Sequence, residues 1–115
     1  MAMSKHPREQ HIVAAIQRAI RRRFGTQALV LKLAGTPLRR GEPDLLVVIG
    51  GRVVALEVKV PGGRPTKLQA HRLRAWSAAG ALVGVVTSVQ EAMELVENLA
   101  ALANHESMRE ALPRA

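Results

Sequence analysis

Two apolar segments joined by a glycine pair restrict the fold of this chain more than any other feature. Residues 44–49 and 53–60 are rich in Val, Leu and Ile, and Gly50-Gly51 separates them. Apolar runs of this length around a two-residue glycine turn predict a β-hairpin. Because both runs are almost continuously apolar, we expect the strands to belong to a sheet covered on both faces.

The predicted hairpin brings two acidic side chains together. Asp44 opens the first strand and Glu57 lies near the end of the second. Alternation along the second strand places Lys59 on the same face as Glu57. Two carboxylates beside an ammonium group suit a hard divalent cation and hydrolysis at phosphorus. The same side chains also fit a surface ion pair of Lys59 with Glu57 or Asp44 on a solvated sheet face.

Basic residues are concentrated in the same part of the chain as the acid pair. Residues 1–74 carry 15 Lys and Arg against 4 Asp and Glu, whereas residues 75–115 carry 2 against 5, and the formal net charge is +8. Such a charge distribution attracts polyanions, of which nucleic acid is the commonest. The alternative is that the arginines serve solubility alone. Membrane binding is disfavoured, since the basic helix lacks aromatic anchors.

Length and composition predict a single domain, residues 1–115, in a soluble intracellular protein. The chain has no Cys, which excludes disulfides, thiolate zinc sites and a cysteine nucleophile. It contains no uncharged apolar run long enough for a membrane span.

Periodicity and turn residues predict an α-β-β-β-α-β-α order. The expected elements are a helix at about 7–23, strands at 28–33, 44–49 and 53–60, a helix at 66–79, a strand at 82–87 and a helix from Ser88 to about 103. Ser88 and Glu91 form a predicted capping box, and residues 107–115 are a short helix or a tail. In the helix at 66–79, Leu68, His71, Leu73 and Trp76 are expected on the inner side.

Two further polar residues have both a local and a functional interpretation. Glu9 lies one turn before the first core positions of its helix and could lean toward the acid pair, but an acid in a first turn also favours the helix dipole. Gln69 follows close after Lys59, in the first turn of the next predicted helix. By itself Gln69 is an ordinary polar surface residue.

The order of these motifs resembles the PD-(D/E)xK nucleases. The resemblance rests on Gly41-x-Pro43-Asp44, then Glu57-Val58-Lys59 after twelve residues, Gly62-Gly63, Gln69 on a helix, and Gly80 before a valine-rich strand. Within that superfamily the chain is similar to stand-alone VRR-NUC domains, which are similar to Holliday junction resolvases. The resemblance implies an α/β, restriction-endonuclease-like core with a mixed central sheet flanked by helices.

The resemblance also implies roles for individual residues. Asp44, Glu57, the main-chain carbonyl of Val58, and Glu9 would be ligands of Mg²⁺ or Mn²⁺. Lys59 would orient or activate the water, and Gln69 would support the site. Homodimers are common in the family, and a bacterial or phage-encoded protein of the cytoplasm is expected.

The hypothesis is therefore a metal-dependent DNA endonuclease that is selective for branched or junction DNA. Seven basic residues are predicted to contact phosphates: Arg21, Arg22, Arg23, Arg39, Arg40, Arg64 and Lys67. The alternatives are a non-catalytic basic DNA-binding module, a repair or restriction-type nuclease on the same core, and binding of another polyanion such as RNA.

Overall fold

The molecule is built on one mixed sheet with helices packed against it. A computed structural model describes residues 6–33 and 40–111, and for residues 105–111 it describes the backbone alone. The elements are α1 (Pro7–Phe24), β1 (Ala28–Lys32), β2 (Leu45–Ile49), β3 (Arg52–Val58), α2 (Lys67–Ala78), β4 (Leu82–Val86) and α3 (Val89–Ala111). A single 3₁₀ turn, Gly25–Gln27, joins α1 to β1. The predicted α/β class and element order are confirmed.

The sheet has the strand order β1-β2-β3-β4, with β1, β2 and β3 antiparallel and β4 parallel to β3. The predicted hairpin joins β2 to β3, and Ile49 pairs with Arg52 across its two-residue loop. Gly50 and Gly51 have φ values of 57° and 78°. Positive φ at both loop positions is what a type I′ turn requires, so the glycine pair fixes the register of the two central strands.

The residues at both ends of α1 and the spacing of its apolar residues all favour a helix. Pro7 occupies the first turn and His6 caps it, since the His6 Nδ1 accepts a hydrogen bond from the Arg8 N–H at 3.1 Å. Val13, Ile16, Ile20 and Phe24 recur at helical spacing and are buried. Gly25 then ends the helix with a φ of 56°.

The core lies between one face of the sheet and the pair α1 and α3, which also contact each other. Leu45, Val47, Val54 and Leu56 point into it from the central strands and are fully buried. Each such side chain contributes roughly 1.5–3 kcal/mol relative to its exposed state. α2 packs instead along β4, at one edge of the sheet.

The opposite face of the sheet is covered less than the apolar runs predict. On the edge strand β1, Leu29 is 58% exposed and Leu31 is also exposed. In β2 buried and half-buried residues alternate, and β3 alone among the four strands of the described residues has consecutive buried residues, from 54 to 58. The reason is the position of α2, which is a short helix beside β4 and shields little of β1 on that face.

The inner side of α2 also differs from the prediction. Leu73 is buried and Trp76 is half-buried, but Leu68 and His71 are exposed. The prediction was wrong for Leu68 and His71, because α2 packs along β4 at the sheet edge and these two side chains lie outside that contact. Leu68 instead lies against the backbone of Gly41, where an added Cβ would come within 2.5 Å of the Leu68 Cγ.

The last helix begins as predicted and ends later. The Ser88 Oγ accepts a hydrogen bond from the Glu91 N–H at 3.1 Å, which is one half of the capping box. The Glu91 carboxylate accepts the second hydrogen bond from the Thr87 N–H at 2.9 Å, one residue before the N–H that a capping box uses. α3 runs to Ala111 rather than to about residue 103, since no Gly or Pro interrupts the segment before residue 113.

Candidate active site

The predicted acid pair, Asp44 and Glu57, lies at the open end of the hairpin formed by β2 and β3, away from the Gly50-Gly51 turn. Leu45 pairs with Leu56, so Asp44 follows in register opposite Glu57 on the neighbouring strand. Residues opposite each other in an antiparallel pair point to the same face of the sheet. The Asp44 Oδ2 also accepts a hydrogen bond from the Val58 N–H at 2.7 Å, which ties the Asp44 carboxylate to β3 directly.

Glu57 is the most deeply buried charged side chain among the described residues. It is 1% exposed, and the Lys59 Nζ lies 3.4 Å from its Oε2. The Lys59 side chain is itself only 11% exposed. The ion pair that the sequence left open as a solvated surface contact therefore exists, but it is buried. Holding a charged pair away from water costs free energy, which the attraction between the two groups has to offset.

A third acid reaches the same strand end from α1. Glu9 is 8% exposed, and its Oε2 accepts a hydrogen bond from the Val60 N–H at 3.1 Å. Glu9 therefore contacts the residue that follows Lys59, and its predicted approach to the acid pair itself stays a prediction. Asp44, Glu57 and Glu9 all converge on residues 57–60, although they are far apart in the chain.

The chemistry of these donors fits a hard divalent cation. Carboxylate oxygens are the ligands that Mg²⁺ prefers, and Mg²⁺ is usually held by one or two of them together with water and substrate phosphates. Across the described residues, no three His, Asp or Glu side chains come close enough to hold one metal ion. In this conformation Glu9 does not complete a three-carboxylate site with Asp44 and Glu57. Asp44 and Glu57, opposite each other in register, supply two carboxylates, the number that Mg²⁺ usually takes from a protein.

The remaining predicted site residues have local contacts. The Gln69 Oε1 accepts a hydrogen bond from the Thr66 N–H at 2.8 Å, and the Gln69 N–H donates to the Thr66 Oγ1 at 3.1 Å. This is a complete capping box at the start of α2. The Val58 N–H is taken by Asp44. The support role of Gln69 and the ligand role of the Val58 carbonyl stay predictions.

Helix α2 is attached to the loop before Asp44 through contacts that the sequence analysis did not predict. The Arg72 Nε lies 2.5 Å from the Glu42 Oε1, and Glu42 raises the pKa of Arg72 above its usual value through this hydrogen bond and its charge. Leu68, one turn earlier on α2, packs on Gly41. The only signal in the sequence was the i, i+4 spacing of Leu68 and Arg72, which says nothing about a partner thirty residues away.

The predicted phosphate contacts fall into two groups. Arg40, Arg64 and Lys67 are exposed on segments that adjoin the acids, whereas Arg39 lies outside the described residues. The second group, Arg21, Arg22 and Arg23, is exposed at the far end of α1.

The arginines of α1 are distant from the acids. The helical rise of about 1.5 Å per residue places Arg23 roughly 20 Å from Glu9 along the axis. Arg23 also lies 3.8 Å from Glu97 and stacks over the Phe24 ring at 5.0 Å. A cleft of about 510 Å³ opens beside Arg23 and Ile49, and none of the three acids lines it.

Among the helices within residues 6–33 and 40–111, none combines the length and apolar character that crossing a bilayer requires.

Comparison with known proteins identifies the fold. No family model matches the sequence, and no curated protein matches it. One solved structure, a "VRR_NUC domain", is 30% identical to the chain, with a TM-score of 0.60, and the match covers 80% of this chain and 97% of that one. A second, a "VRR_NUC domain protein", is 14% identical with a TM-score of 0.67, covering 83% and 89% of the two chains.

The second likeness supports the fold alone, and the first has the identity and coverage of a family relative. Both agree with the mixed sheet, the element order and the restriction-endonuclease-like core predicted above. The chain therefore belongs to the VRR-NUC domain family and is a nuclease-family domain.

Proposed function

We propose that the chain is a Mg²⁺- or Mn²⁺-dependent endonuclease that hydrolyses phosphodiester bonds in DNA. The observation that carries the proposal is the buried pair of Glu57 and Lys59 opposite Asp44, in a domain of the VRR-NUC family. A solvated sheet face would leave these side chains in water. Their burial instead creates a small polar environment in which charge on a phosphate can be stabilised.

In this mechanism Asp44 and Glu57 would hold the cation, with the Val58 carbonyl beside them. When bound, the cation supplies Lewis-acid polarisation of the scissile phosphate and a water of lowered pKa. Lys59 would orient that water or stabilise the charge that develops at phosphorus. Water attacks directly, the bond from phosphorus to the leaving sugar oxygen breaks, and no covalent enzyme intermediate forms.

Charge supports DNA as the substrate. Arg40, Arg64 and Lys67 would contact phosphates on either side of the scissile bond. Arg23 lies roughly 20 Å from Glu9 along α1, which is the length of about six base pairs at 3.4 Å each, and Arg21 and Arg22 precede it on the same turn. A substrate that reaches both groups must therefore extend well beyond the cut. This suits the arms of a branched DNA, as in Holliday junction resolvases.

We also propose a homodimer, which would provide two sites for paired cuts. Leu29 and Leu31 support it, because they are exposed on the edge strand β1, and apolar side chains on a free sheet edge are typical of surfaces that a partner covers. Light scattering at assay concentrations measures the mass in solution, and a monomer mass would contradict this part of the proposal.

A non-catalytic DNA-binding module is the second candidate. It is favoured by one observation: Asp44 and Glu9 each accept a backbone hydrogen bond from the end of β3 and so have a structural role without any metal. In such a module the basic surface would bind DNA, and Asp44 and Glu9 would only accept the backbone hydrogen bonds of Val58 and Val60.

The variant Asp44→Asn separates the two candidates. Asn keeps an oxygen for the Val58 N–H, so the fold should survive, whereas a metal-ligating charge is lost. We expect incision of a labelled four-way junction in Mg²⁺ to be abolished and binding of the junction to be retained. Glu94→Gln removes the same charge from the exposed face of α3 and is the matched control. Wild-type incision by Asp44→Asn would exclude Asp44 from the mechanism, and binding without incision by the unmodified protein would support the module.

A further inference from the structure

Helix α2 holds the loop that carries Asp44 at two points. The Leu68 side chain lies against the Gly41 backbone, so closely that a Cβ at position 41 would meet the Leu68 Cγ at 2.5 Å. One turn later, Arg72 pairs with Glu42. Residues four apart share one face of a helix, so a single face of α2 grips two consecutive residues of the loop.

The contact between Arg72 and Glu42 has two hydrogen bonds. The Arg72 Nε lies 2.5 Å from the Glu42 Oε1, and an Arg72 terminal nitrogen lies 3.5 Å from Oε2. Two-point pairing of a planar guanidinium with a carboxylate fixes the orientation of both groups, which a single lysine contact does not. The Glu42 side chain is only 18% exposed. The pair therefore restrains the loop in direction as well as in distance.

A rigid link joins this pair to the acid. Only Pro43 separates Glu42 from Asp44, and Pro43 is fully buried. The proline ring fixes φ of residue 43 and its burial restricts the segment further, so less of a movement of Glu42 can be absorbed by rotation before Asp44. On the other side, Asp44 is anchored by its hydrogen bond from the Val58 N–H.

We propose that Arg72 and Glu42 are positioning residues that hold Asp44 in place for cation binding. Neither side chain touches the cation or the substrate in this account. The inference rests on the proposed function, since it assigns a purpose to the position of Asp44. The expected consequence is that loss of the pair weakens cation binding while DNA affinity is preserved.

The test compares Arg72→Gln with Arg74→Gln, a matched control. Arg74 is exposed on the same helix, and its substitution removes the same charge. The first readout is hydrogen exchange of the Val58 amide, measured by NMR without metal. We expect exchange in Arg72→Gln to be faster by roughly fivefold, the factor that corresponds to one net hydrogen bond, and Arg74→Gln to match the wild type.

The second readout is the Mg²⁺ concentration that gives half-maximal incision with junction DNA in excess. Substitution of groups that orient metal ligands usually costs about 10–100-fold in metal affinity or activity, so we expect a rise of at least about 10-fold in Arg72→Gln. The dissociation constant of the junction, measured without metal, should equal that of Arg74→Gln. The double variant Glu42→Arg with Arg72→Glu should restore both readouts in part, which a general loss of stability would not allow.

The outcomes separate the two proposals. Unchanged Val58 exchange in Arg72→Gln would overturn the positioning role even if the protein proves to be a nuclease. Faster exchange in a protein that never incises DNA would support the restraint on Asp44 and refute the proposed function. If Arg72→Gln does not fold, Glu42→Ala removes both acceptors of the same pair and is measured with the same readouts.

Discussion

Two substitutions of Glu9 distinguish a structural role of its carboxylate from a role in metal binding. Its Oε2 accepts a hydrogen bond from the Val60 N–H, and it is nearly buried where α1 meets the end of β3. This contact fastens the first turn of the helix to the strand. Family resemblance assigns Glu9 a second role, as a metal ligand. Glu9→Gln keeps the hydrogen-bond acceptor and removes the charge, whereas Glu9→Ala removes both.

The expected stabilities follow from that contact. In Glu9→Ala the Val60 N–H loses its acceptor in a partly buried place, and a donor left without a partner costs about 1–3 kcal/mol. In Glu9→Gln the bond persists, and the main loss is the favourable charge in the first turn of α1, about 0.3–1 kcal/mol. We therefore expect the unfolding free energy from urea titration to fall in the order wild type, Glu9→Gln, Glu9→Ala.

Incision of the four-way junction shows whether Glu9 is a metal ligand or has only a structural role. If Glu9 moves onto the cation when DNA and metal bind, Glu9→Gln should be folded but at least about 10-fold slower, in the range found when groups around a metal are altered. Wild-type incision by Glu9→Gln would limit Glu9 to its structural role. Wild-type stability of Glu9→Ala would refute the account of the Val60 hydrogen bond itself.

Two further predictions concern the turn and the last helix. Gly50→Ala should lower the unfolding free energy by about 2–5 kcal/mol, because residue 50 has a left-handed φ of 57° and its added Cβ would overlap the Cβ of Ala103. Gly51→Ala, with nothing within 4 Å of the added Cβ, should cost about 1–2 kcal/mol, and equal urea midpoints for the two variants would refute the overlap. The hydrogen bonds from Thr87 lower the pKa of Glu91, so its carboxylate stabilises the fold above the ordinary pKa of about 4.3, and this stabilisation is lost as pH falls through the lowered value. Glu91→Gln should thus be less stable than wild type at pH 7 and equal to it near pH 2, and a gap that is the same at both pH values would contradict this.

Local signals predicted most of the secondary structure. The Gly50-Gly51 pair determined the hairpin, because few other residues adopt positive φ at both positions, and the hairpin register then brought Asp44 opposite Glu57. The spacing of apolar residues predicted α1 within one residue of its observed end. In each case the deciding interaction lies within a few residues of the chain.

Predictions that depended on packing between distant elements were less complete. The exposure of Leu68 follows from where α2 docks, which is decided by its contacts with Gly41 and Glu42 and not by the periodicity of the helix. Pairing of Arg72 with Glu42 is likewise invisible in local spacing. The sequence analysis placed Gln69 beside the site and did not consider its capping box with Thr66. The pattern Thr-x-x-Gln at the start of a helix is a recognised signal for such a box.

The hydrogen-bond donors around Asp44, Glu57 and Glu9 account for how three carboxylates can lie near one strand end. Carboxylates that converge in a partly buried place repel each other and lose hydration, and this must be offset. Here each acid has at least one donor of its own: the Val58 N–H for Asp44, the Val60 N–H for Glu9 and the Lys59 ammonium for Glu57. All of these donors belong to residues 58–60, the last residue of β3 and the two that follow it. The strand end therefore stabilises the negative charge before any cation arrives, so a cation in the proposed mechanism would bind to ligands already in position and would not be required to assemble them.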